Sequence, residues 1–228
     1  MASDKDTEES NVWEFSFDDE EAAALFVISQ KSFFTRILEL GADEMDRIEE
    51  EFKKASAGND KKHMAHLANE GAETLGFIEE SAELAMVAMY HWVERTMKRE
   101  LVRLHRAQKM DSKKVGRMRY PELETSFKAL GVQIDALTNA TLVTQTLRKF
   151  ANSWKHNAES ASDELKKDLG ITAELRGHFS EEEILKTLSQ KLGTKEDASA
   201  PDIVRAFVSA TEKFLLALIS ASRKQSAS

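Results

Sequence analysis

The sequence predicts an all-α protein, a single multi-helix bundle built around a central pair of long helices. Three observations carry that expectation. Glycine (9) and proline (2) are scarce for 228 residues, so the chain has too few turns for a β-rich sandwich. Alanine, leucine, glutamate and lysine dominate, and all of them favour helix. Apolar residues recur by threes and fours over long stretches, and no alternating strand pattern appears.

The elements follow in order. Residues 1–16 read as a disordered acidic tail, and 17–224 as one helical domain. A helix is expected from Asp18, whose neighbours Asp19, Glu20 and Glu21 suit its positive end. Phe26, Phe33, Ile37 and Leu40 recur at helical spacing and Gly41 ends the run. A second helix over 43–56 stops at Ala57-Gly58-Asn59. Helical pattern then continues from Asp60 to about Met110, with a break expected near Gly71 or Gly76. Met86, Tyr90, Val93, Met97, Leu101 and Leu104 form a core stripe.

Residues 111–120 read as a basic loop. Pro121 opens the next helix and Gly131 closes it. A long helix over 135–157 buries Val143, Leu147, Phe150 and Trp154. It pairs with 80–109 at the centre of the expected bundle. A short helix at 160–169 ends at Gly170. Another starts at Ser180, with Glu183 completing a capping box, and stops near Gly193. The last helix is capped at Ser199 or Ala200 and buries Val204, Phe207, Val208, Phe214, Leu215 and Leu218. The tail after Lys224 is expected to fray.

Composition also excludes functions. With no cysteine there are no disulfides, cysteine–zinc sites or thiol catalysis. No apolar run approaches the roughly 18 residues of a membrane span, and the polar N-terminus lacks a secretion signal. A cytoplasmic protein is expected. The net charge of −8 is unevenly spread, with 16 acidic and 4 basic side chains in residues 1–52. Residues 94–119 hold Arg95, Lys98, Arg99, Arg103, Arg106, Lys109, Lys113, Lys114, Arg117 and Arg119 against Glu94, Glu100 and Asp111. Arg95, Arg99, Arg103 and Arg106 form a candidate surface for an RNA backbone. Alternatively, the acidic and basic regions neutralise each other across the fold.

The segment 147–157 carries the most chemistry. At helical spacing Arg148, Asn152 and His156 fall within an arc of about 80°, with Lys155 beside them. Arginine clamps phosphate and stabilises its developing charge. Histidine moves a proton near neutral pH, and asparagine can orient either group. Arg148, Asn152 and His156 are the candidate catalytic set and Lys155 a candidate RNA contact; no cofactor or metal is required. The bland alternative is an ordinary polar helix face. Asp60, His63, His66 and Glu70 share another face, where solvent exposure is the simpler reading. His91 and His105 border the core stripe as structural groups. His178 follows Arg176-Gly177 with no evident partner.

The string Leu147-Arg148-Lys149-Phe150-Ala151-Asn152-Ser153-Trp154-Lys155-His156 resembles the signature of HEPN-like proteins, all-α domains of prokaryotic toxin–antitoxin and anti-phage systems. The helix from Glu83-Leu84 through Trp92-Val93-Glu94 is similar to the family's other core helix. The terminal helix with Phe207 and Phe214 is similar to its closing helix, so the resemblance spans residues 75–220. It implies a homodimer in which the Arg and His of both subunits meet, and a metal-independent endoribonuclease leaving a 2′,3′-cyclic phosphate. It also implies a possible nucleotidyltransferase-type antitoxin or other defence partner. Seven residues separate Arg148 from His156, where the family motif has four to six. The two side chains are then about 12 Å apart along the axis, a gap that two antiparallel subunits could close. Two other readings stay open: a non-catalytic HEPN-like module for a protein or RNA, and a helical scaffold whose acidic N-terminal region docks a basic partner.

Overall fold

The computed structural model describes residues 20–156, 163–170, 182–195 and 197–226, and all their regular structure is helical. Helices α1 (Glu20–Ala57) and α2 (Lys61–Ala107) form a long antiparallel hairpin. Asn59 turns the chain at φ 55°, and Asp60 caps α2 by accepting from the His63 N–H at 3.0 Å. Helix α3 (Tyr120–Ala129) follows the basic loop. A π-helical stretch, Leu142–Leu147, runs into α4 (Arg148–His156). Helices α5 (Asp163–Leu169), α6 (Glu182–Leu192) and α7 (Ala200–Ser226) complete the bundle.

The expected stop at Gly41 does not occur, and α1 is one helix of 38 residues. A glycine inside a helix costs about 1 kcal/mol relative to alanine. Here it allows close approach: a Cβ on Gly41 would lie 2.7 Å from Ile78 Cγ1. In α2, Gly71 also faces α1 but has room for a methyl group, a Cβ there lying 3.7 Å from Ile48 Cγ2, and neither Gly71 nor Gly76 breaks that helix.

The longest pair is therefore α1 with α2, and α7 packs against both. Lys31 ties α1 to α7 through Glu212 at 2.7 Å. The segment 142–156 packs on α2, as the pairing of 80–109 with 135–157 anticipates. Its helix begins only at Ala140, however. Asn139 ahead of it adopts φ 60° and donates its side-chain amide to the Ala210 carbonyl at 3.3 Å.

One contiguous apolar core runs through the bundle. It includes the whole Met86–Leu104 stripe, Val143, Leu147 and Phe150, and the expected buried face of α7. Phe127, Phe150, Phe207 and Phe214 are fully buried, each contributing roughly 1.5–3 kcal/mol by leaving water. A small second cluster of Ile48, Ala55 and Leu67 closes the hairpin tip. Where the sequence suggests fraying after Lys224, α7 instead continues to Ser226. Arg103 holds it there, donating to Ser226 Oγ and the Ser222 carbonyl, both at 2.9 Å. No helix among the described residues is long and apolar enough to cross a membrane.

Candidate functional site

Arg148 opens α4 directly after the π-helical stretch. Such stretches displace the usual backbone ladder and recur at functional sites. The Thr144 carbonyl, inside that stretch, accepts from Arg148 Nε at 2.9 Å. The guanidinium lies over the Tyr120 ring, 5.2 Å from its centroid, a cation–π contact that fixes its plane. Tyr90, from α2, also lies close enough to feel the charge of Arg148. Burial, with a smaller contribution from Glu94, pushes the Tyr90 hydroxyl up to about 12, while Arg148 pulls it the other way. Burial also raises Tyr120. Both remain protonated donors at neutral pH.

The half-buried Arg148 thus stands near both tyrosines of the chain. Among the described residues it has no carboxylate partner. The core side of α4 sets this orientation. Phe150 and Trp154 stack at 4.7 Å, and Trp154 Nε1 donates to Glu83 on α2 at 2.6 Å. Asn152, one turn beyond Arg148, is exposed. Lys155 and His156 occupy the last turn of the same unbroken α-helix, and their side chains lie outside the described residues. His178 and the Ser180 cap also lie outside them.

The four arginines proposed for an RNA backbone share one arc of α2 but are differently employed. Arg95 and Arg99 reach over Phe26 of α1, 6.0 and 5.4 Å from its ring centroid. Tyr90 and Glu94, near Arg148, lie on the other side of α2. Arg103 is committed inside the fold: besides its α7 contacts, its Nε meets the fully buried Glu100 at 3.1 Å. Arg223 reaches the same carboxylate at 3.0 Å. Burial raises the Glu100 carboxyl and the two arginines oppose that shift. Arg106 is exposed in the last turn of α2.

Arg117 and Arg119, just ahead of Tyr120 in the chain, are exposed. The Arg119 N–H donates to Glu122 at 2.7 Å, starting α3 and setting Tyr120 in place. Sequence reasoning missed both tyrosines. Tyr90 reads as core, and nothing local links Tyr120 to Arg148.

The possible metal face at the hairpin tip is otherwise employed. Asp60 caps α2, and Glu70 pairs with Arg47 at 2.6 Å. No metal-binding cluster occurs among the described residues. His105 is structural as expected, its Nδ1 lying 3.0 Å from the Asp111 carbonyl.

No family model, curated protein or solved structure matches this chain.

Proposed function

We propose that this chain is a HEPN-like protein whose Arg148–Asn152–His156 face acts on RNA phosphodiesters without a metal, in a cytoplasmic defence or toxin–antitoxin setting. The supporting observation is Arg148 itself: oriented by Tyr120 and the Thr144 carbonyl, and lacking a carboxylate partner among the described residues. An arginine so placed is ready for a phosphate oxygen.

In this reading Arg148 stabilises charge on the phosphorus oxygens. His156 takes the 2′-hydroxyl proton as that oxygen attacks phosphorus, and the bond from phosphorus to the 5′-oxygen breaks as that oxygen takes a proton from water. The product is a 2′,3′-cyclic phosphate. Asn152 orients the phosphate or the ribose, and Lys155 and the exposed cations hold the backbone. Eight helical positions separate Arg148 from His156 by about 12 Å. One phosphate then requires Arg148 from one copy and His156 from another, so the enzyme is a homodimer.

A second reading is a non-catalytic HEPN-like module that binds RNA or a partner such as a nucleotidyltransferase-type antitoxin. It is favoured by how Arg148 is held, since its tyrosine and carbonyl contacts need no proton-transfer partner.

The test is incubation of wild type, Arg148→Ala and His156→Ala with mixed RNA in EDTA, with binding measured in parallel. Cleavage by wild type alone supports the enzyme. RNA binding without cleavage, lost in Arg148→Ala, supports the module. Neither activity in any protein rejects both RNA readings and leaves a protein partner or the scaffold.

A further inference from the structure

Helix α1 has two apolar stripes, and only one is used inside the chain. Ala23, Val27, Phe34 and Leu38 are buried. Phe33 and Leu40 are 56% and 61% exposed, and on α2 Phe77 and Leu84 are 54% and 69% exposed. Seven residues separate the members of each pair, which returns a helix to within about 20° of the same direction. Gly41 lies opposite Ile78 and Gly71 opposite Ile48. That register sets Leu40 nearly level with Phe77, and Phe33 with Leu84. Leu40 and Phe77 wall an open groove of about 420 Å³ between the two helices, floored by Gly41.

The groove is acidic as well as apolar. Glu44, Glu70 and Glu73 line it. Residues 36–51 of α1 and 66–80 of α2, which form this part of the hairpin, hold eleven acidic side chains against two basic ones. One of those two, Arg47, is shared among Glu44, Glu51 and Glu70. Glu73 is exposed, and its carboxylate has no partner among the described residues. Negative charge therefore stays in surplus beside the apolar stripe, toward the hairpin tip.

We infer that this groove receives a basic, amphipathic helix of another protein. Exposed aromatic and leucine side chains beside a carboxylate surplus match a ligand helix with one apolar stripe and lysine or arginine at one end of it. The register sets its pattern. The Phe33/Leu84 and Leu40/Phe77 levels are about 10 Å apart, and Glu44 and Glu73 lie about 6 Å further toward the tip. A helix lying along the groove then needs apolar residues about seven positions apart and a cation about four positions beyond them. An RNA backbone, being anionic, is repelled by the same surface. Tyr90, close to Arg148, leaves α2 about 120–140° around the helix from Leu84 and Phe77. A docked helix thus leaves the Arg148 face open, and the inference does not rest on the RNA reading.

The probe is a synthetic helical peptide of about 18 residues, with a leucine stripe over two turns and lysines in the turn beyond. Its binding to the full chain is followed by fluorescence anisotropy without RNA. Binding should saturate. A peptide with glutamate for each lysine, and a scrambled peptide of the same composition, should each bind at least about tenfold more weakly. Phe77→Ser and Leu84→Ser, at exposed positions, should keep the circular dichroism of wild type and weaken binding about tenfold. Glu73→Lys should weaken it more at low salt than at high salt. Met110→Ser, an exposed apolar position beyond the far end of α2, should leave it unchanged. No binding of the basic peptide, equal binding of the scrambled one, or an affinity indifferent to both serines overturns the inference. Sedimentation equilibrium of the chain alone tests the rival occupant: a dimer that both serines dissociate gives the face to a second copy and overturns it as well.

Discussion

Two arginine sites on this bundle face opposite demands. Where α2 meets the end of α7, Arg103 and Arg223 both grip Glu100, which is fully buried. Where α4 starts, Arg148 has a tyrosine ring and a carbonyl oxygen and, among the described residues, no carboxylate. The first arrangement neutralises cations that the core has removed from water, and it closes the end of the bundle. The second fixes the direction of a guanidinium and, among the described residues, pairs it with no carboxylate. Reading cations as binding residues by type alone merges these cases, and their surroundings separate them.

The sharpest separation comes from Glu100→Gln. Removing one member of a buried charge group strands the others, at about 3–5 kcal/mol. Urea unfolding should show that loss, and α7 beyond Ser222 should lose hydrogen-exchange protection. A cost near zero would mean that the Glu100 cluster is as dispensable as a surface pair.

An intermediate case is Asp168 on α5. It accepts from Thr146 Oγ1 at 2.9 Å and Lys149 Nζ at 2.7 Å, joining α5 to the π-helical stretch and α4. Burial pushes its carboxyl up, but those two hydrogen bonds together with the charges of Lys149 and Lys191 outweigh it and hold the group below the usual aspartate range. Its contribution is complete above the unfolded value of about 3.9. It is lost as pH falls through the lower folded value. With partial solvent screening, Asp168→Asn should cost about 1–2 kcal/mol at neutral pH. That cost should shrink below about pH 4. Urea midpoints at pH 7 and pH 3 check it, and an equal cost at both would assign the effect to shape, not charge.

The helical class, the core stripes of α2 and α7, the helix start at Pro121 and the cap at Ser199 were legible because each rests on local spacing. Ser199 Oγ meets Asp202 at 2.7 Å and accepts from the Asp202 N–H at 3.4 Å, as a cap should. Gly41 was misread because the same residue ends helices and lets them touch, and Ile78 decides which. The Phe33/Leu40 spacing was visible, but its exposure depends on where α2 and α7 sit. In the candidate site, the shared helix of Arg148, Asn152 and His156 follows from periodicity. Its tyrosines do not, since Tyr90, Tyr120 and Arg148 come from three elements. The π-helical stretch has no residue pattern that distinguishes Leu142–Leu147 from ordinary helix.

The smallest expected stability effect is at Arg148, and its smallness carries the functional argument. Arg148→Ala removes one cation–π contact and one hydrogen bond to the Thr144 carbonyl, which water can take over at this half-buried position, together about 1 kcal/mol. It leaves no described carboxylate unpaired, so the stranded-charge penalty of Glu100→Gln has no counterpart. The loss should stay near 1 kcal/mol, while RNA affinity falls at least tenfold. Tyr120→Phe keeps the ring and should lose little of either; Tyr120→Ala should reproduce much of the affinity loss with the guanidinium still present. If Arg148→Ala instead destabilises the fold as severely as Glu100→Gln, and RNA binding falls only in step with unfolding, then Arg148 holds the bundle together and serves no phosphate.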